Sequence, residues 1–114
     1  MADAAVTELA DRIRALLGGE GEIEERAMFG SRAFLSGGRI LVGARAGGTL
    51  LVRVASERAD VLLVEPGVSR AVMGARTMSD NWLDVAPEAV ADDAALMEWI
   101  DIAREDAVDD RRGG

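Results

Sequence analysis

The side chains that most often carry catalysis are missing from this 114-residue chain, which has no histidine, no cysteine and no tyrosine. The commonest general base, the thiolate nucleophile and the phenolic acid are therefore excluded together. Carboxylates, serines and arginines remain. Ser69 sits in Gly67-Val68-Ser69-Arg70-Ala71, which lacks the second glycine of a nucleophile elbow, and no histidine is present to activate it. The adjacent acids Glu24-Glu25, Asp92-Asp93 and Asp109-Asp110 point apart on a helix or strand, so they read as caps and solvated faces. Glu98, Asp101 and Glu105 have a spacing that suits a hard cation, yet no loop carbonyls surround them and the run reads as a polar helix face. Gly18-Gly19-Glu20-Gly21 follows a helix and so offers carbonyls where a phosphate needs amides. Met28, Met73, Met78 and Met97 read as core filler without cysteine or histidine beside them. No catalytic residue, metal site or cofactor is assigned, and the chain reads as non-enzymatic.

Charge narrows the partners. Thirteen arginines and no lysine stand against 21 acids, for a net charge of −8. An acidic chain is repelled by the phosphate backbone, so duplex DNA binding in its own right is not expected. The N-terminus lacks a basic region followed by an apolar run, and nothing approaches the roughly 20 apolar residues of a membrane span. The reading is a soluble, cytoplasmic protein with one core.

The elements follow from periodicity. Val6, Leu9, Ala10, Ile13, Leu16 and Leu17 recur at helical spacing, so Asp3 to Leu17 is a helix capped by Asp3 and stopped by Gly18-Gly19. Ile23 to Phe29, Ser31 to Leu35, Arg39 to Arg45 and Thr49 to Val54 are short alternating runs, and Gly37-Gly38 and Gly47-Gly48 are hairpin turns between them. Ser56 caps a short helix that Pro66-Gly67 stops. Ser69 to Met73 and Asn81 to Val85 read as weaker strands, Pro87 breaks the chain, and Asp92 or Asp93 caps a last helix burying Leu96, Trp99, Ile100 and Ala103. The order α-β-β-β-β-α-β-β-α predicts an α+β domain over residues 1–108, an antiparallel sheet of five to six strands with helices on one face, and a disordered tail over 109–114.

The sheet face turned away from the helices is the candidate interface. If Leu50, Val52 and Val54 point to the helices, alternation sends Leu51 and Arg53 outward with Arg39, Leu41 and Arg45 of the strand before. Arg32, Phe34 and Trp82 are expected on the same face. Arginine amid apolar groups suits a protein partner or a second copy of the chain, against the plainer reading of arginine stems lying over a solvated sheet.

One stretch ties these elements to known proteins. Met28-Phe29-Gly30 plants a glycine at a sheet entrance, where a positive φ or a close approach excludes a β-carbon. Then come Ala33-Phe34-Leu35, Ile40-Leu41-Val42-Gly43, Leu50-Leu51-Val52-Arg53-Val54, Leu62-Leu63-Val64-Glu65-Pro66-Gly67, Arg76-Thr77-Met78, Trp82-Leu83-Asp84-Val85, and Leu96 with Trp99. In order and spacing, from about Arg26 to about Ala107, this resembles the TfoX N-terminal domain family, the small bacterial domain named after a regulator of natural competence; Ser31 stands where a second glycine is expected. The resemblance implies a regulator of gene expression acting through a protein partner. The alternative class is a small-molecule binder or enzyme using a crevice beside Met28-Phe29-Gly30.

Overall fold

A computed structural model describes residues 3–18, 23–28, 30–73 and 75–113, and the side chains among these except those of 28, 73 and 108–113. Helix α1 (Ala4–Leu17) starts where Asp3 accepts the Ala5 N–H and ends at Gly18. Four strands follow, β1 (Ile23–Met28), β2 (Ser31–Ser36), β3 (Arg39–Arg45) and β4 (Thr49–Arg53), then α2 (Ser56–Leu62), β5 (Val68–Arg70), β6 (Val72–Met73), β7 (Arg76–Thr77), β8 (Trp82–Val85) and α3 (Asp93–Gly113). The main sheet has the order β1-β2-β3-β4-β8-β5, all antiparallel, and β6-β7 is a separate ribbon. Where one strand over Ser69 to Met73 is expected, the chain therefore leaves the sheet at Ala71 and starts a second hairpin.

The helices cover one face of this sheet. Val6, Leu9, Ala10, Ile13 and Leu17 of α1 and Leu96, Trp99, Ile100, Ala103 and Ala107 of α3 meet Phe34, Val42, Ala44, Leu50, Val52, Leu83 and Val85 in one cluster, the burial that stabilises an amphipathic helix on a half-buried sheet. The predicted stripe of α3 is thus in place, with Asp92 as its cap through the Ala95 N–H at 2.8 Å. The helix runs on to Gly113, past the boundary at 108 expected from sequence.

A single extra residue in β3 corrects the predicted faces. The two-residue turn makes Ser36 pair with Arg39 and Leu35 with Ile40, but Phe34 then pairs with Val42, so Leu41 is a bulge without a partner. Without the bulge, Phe34 would face Leu41 and Arg32 would face Gly43 on the outer side. The one-residue slip turns Phe34 and Arg32 to the helix side, since a register shift of one exchanges faces. Phe34 is fully buried in the core and Leu41 joins it there. Arg39, opposite Ser36, falls by alternation on the Phe34 side as well.

Candidate interaction surface

Four of the eight expected interface residues do share the outer face. Gly43 pairs with Leu51, and Arg45 lies two residues on from Gly43. Leu51 pairs with Asp84, and Arg53 with Trp82. Alternation puts all of these on the side away from the helices. The face is nevertheless not open apolar surface. Leu51 is only 9% exposed, and Ala33 and Leu35 are buried too. Leu51 therefore corrects to a buried position. Arg45 donates through Nη1 to both Asp84 carboxylate oxygens, at 2.8 and 3.1 Å, and through Nη2 to the Val72 carbonyl at 2.6 Å. One guanidinium nitrogen thus holds the β8 carboxylate and the other a β6 carbonyl, which ties the β6-β7 hairpin across the outer face. Arg53 and Trp82 stay partly exposed beside it.

At the family motif, Met28 ends β1 and pairs with Ser31. Gly30 is exposed at φ +82° with nothing near its missing β-carbon, so the turn requires glycine for its conformation and not for space. Phe29 lies outside the described residues. A groove of about 180 Å³ lies between α1, the Ala46–Gly48 turn and Pro87, with Glu8 and Arg12 as its charged groups. Arg12 is already held by Asp93 at 3.0 Å and by the Val90 carbonyl at 2.8 Å.

Among the described residues, the large apolar side chains most open to solvent lie elsewhere, at the end of α2, where Val61 is 67% and Val64 81% exposed. Their origin is local. Val61-Leu62-Leu63-Val64 are four apolar residues in succession, and a short helix lying on a core turns only one side inward. Ala59 takes the buried position with Leu62 and Leu63 partly covered. Val61 in the last turn of α2 and Val64 just past its end are both left on the outside. Glu57, Asp60 and Glu65, close to them in sequence, are exposed, and Asp60 is paired with Arg70 at 2.9 Å. The signal of this ledge in the sequence is the run of four apolar residues.

What fixes α2 comes from the other end of the chain. Ser56, expected as the cap, is the first helical residue, and Ala55 precedes it without a side-chain cap of its own. Asp106 of α3 anchors the residue before the helix instead. Its Oδ2 accepts the Ala55 N–H at 2.9 Å and its Oδ1 accepts from Arg58 at 3.0 Å. Arg58 also reaches Glu105 at 3.2 Å. Burial works against the Arg58 charge, yet the hydrogen bonds to Asp106 and Glu105 outweigh it and raise the guanidinium pKa. Among the described residues Asp106 is the buried charged one, at 5% exposure, and its spacing of three from Ala103 places it on the buried stripe. On the opposite edge, Glu25 of β1 accepts from Arg14 of α1 at 2.8 Å and from Arg32 at 3.0 Å. The Arg14 hydrogen bond, against burial and with the charges of Arg14 and Arg32, holds the Glu25 carboxyl below its ordinary value.

The sheltered ionisable groups are thus joints of the fold, and the class defined is a small α+β domain whose helices cover one sheet face. The model of the TfoX N-terminal domain family matches residues 15–107, and the chain belongs to that family. No curated protein and no solved structure matches it. No helix among the described residues is long and apolar enough to cross a membrane.

Proposed function

We propose that this chain is a non-enzymatic interaction module that regulates gene expression through a protein partner, binding at the α2 ledge. The observation that carries this is the exposure of two apolar side chains, Val61 in the last turn of α2 and Val64 just beyond it, while α2 itself is held by Asp106. Exposed apolar groups on a rigid support favour protein contact, because little ordering entropy is lost on binding. The net charge of −8 favours a partner presenting basic residues around an apolar anchor, and disfavours duplex DNA. Family membership supports the regulatory setting. The test is affinity capture from the protein's own cell extract with the wild type and with Val61→Asp/Val64→Asp. A protein retained by the wild type and lost with the variant is expected. A partner retained equally by both, or the absence of any partner, contradicts the proposal.

A further inference from the structure

We propose that the free edge of β1 pairs with β1 of a second copy of this chain, antiparallel about a two-fold axis through Glu25, joining two sheets into one. β1 is a six-residue strand at the edge of the sheet, and an edge of that length is a template for another strand. Its hydrogen-bonding phase follows from the hairpin. A two-residue connection closes on a pair that exchanges both backbone bonds, and Met28 with Ser31 is that pair. Alternation then turns the N–H and C=O groups of Ile23, Glu25 and Ala27 toward the open side. An antiparallel copy uses these groups when Glu25 faces Glu25 and Ile23 faces Ala27 of the second chain.

That register places Glu24 directly opposite Arg26 of the other copy, twice. These are the closely spaced positions between hydrogen-bonded pairs, where opposite charges stabilise and like charges repel. Glu24 and Arg26 are both about half exposed and contact each other at 2.8 Å within the strand, so in the pair the four side chains form a square of alternating sign. A shift by two residues in one direction sets Arg26 against Arg26, and in the other shortens the overlap. The two Glu25 groups on the axis are each already neutralised by Arg14 and Arg32. Among the described residues around β1, Asp11, Glu24 and Glu25 are balanced by Arg14, Arg26 and Arg32, so these ion pairs add no net charge of their own to the repulsion between two copies.

The test is sedimentation equilibrium of the full chain and its charge variants at physiological salt. The wild type is expected to dimerise. Glu24→Arg alone and Arg26→Glu alone each create two like-charge contacts and should raise the dimer dissociation constant about tenfold or more. An equimolar mixture of the two variants should restore a dimer, since every contact between them is then of opposite sign, and the exchanged variant Glu24→Arg/Arg26→Glu should restore it in one chain. Ala27→Pro removes an outward N–H without touching the β1-β2 ladder, and should give a folded monomer. A wild type that stays monomeric near 1 mM, single variants that dimerise as well as wild type, or a mixture that fails to recover, overturns the proposal. Because none of these positions lies on α2, their outcome is independent of partner capture at Val61 and Val64.

Discussion

Removing the Asp106 side chain tests the joint on which the α2 ledge rests. Asp106 is 5% exposed and holds the Ala55 N–H at 2.9 Å and Arg58 at 3.0 Å. Breaking a fully buried ion pair costs about 3–5 kcal/mol. Arg58 keeps 37% of its side-chain surface in solvent and retains Glu105, so the charge contribution must be discounted for screening. A hydrogen bond to an ionised acceptor contributes about 1.5–3 kcal/mol. Asp106→Ala should therefore cost about 2–3 kcal/mol, or roughly 10 °C in thermal midpoint for a domain of this size. Asp106→Asn keeps an acceptor for the Ala55 N–H and should lose less. Glu105→Ala removes a carboxylate that is 63% exposed and should stay within about 0.5 kcal/mol. Chemical denaturation of the three variants supplies the comparison, and a double-mutant cycle with Arg58→Ala should return a coupling near 1 kcal/mol. If Asp106→Ala is as stable as the wild type, or no worse than Glu105→Ala, the carboxylate does not hold α2 in place.

Acid should weaken the α1–β1 joint. Glu25 has a folded-state pKa depressed below 4.5, so its contribution is present above that value and is lost as pH falls through the folded pKa. Glu25→Gln should flatten the decline of the thermal midpoint below about pH 4.5, and an unchanged slope would contradict this. Gly67 and Gly30 share φ +82°, but a β-carbon at Gly67 would stand 3.2 Å from that of Ala89 whereas at Gly30 it meets nothing. Gly30→Ala should cost about 1–2 kcal/mol from backbone conformation, and Gly67→Ala at least about 1 kcal/mol more from crowding; equal losses would refute the packing argument. Leu51→Glu should destabilise by more than about 2 kcal/mol because it places a charge at a position 9% exposed, whereas a variant as stable as the wild type would show the outer face to be open.

The parts legible in the sequence were those set by local chemistry. The Asp3 cap, the helical spacing of Val6 to Leu17, the paired glycines at 37–38 and 47–48 and the stripe from Leu96 to Ala103 each sit within one turn or hairpin of the residues they order. The bulge at Leu41 carries no such mark, since an apolar residue suits either face, and its effect spreads to every predicted neighbour. One slip moved Arg32, Phe34, Arg39 and Leu41 off the expected surface and left Arg45, Leu51, Arg53 and Trp82 on it. The anchor of α2 escaped for another reason, because the acceptor of the Ala55 N–H lies 51 residues away and Ser56 satisfied the local rule for a cap without serving it. The α2 ledge was readable in principle from four consecutive apolar residues, but only once burial of Ala59 fixed which side faced inward.

The most direct measurement is hydrogen–deuterium exchange on the protein alone and saturated with the partner it retains from extract. Partner-dependent protection of the amides of α2, Ser56–Leu62, and onward to Glu65 is the result predicted. Protection confined to the outer sheet face, to the groove beside Glu8 and Arg12, or absent from the chain altogether would contradict the assignment of α2 as the binding surface.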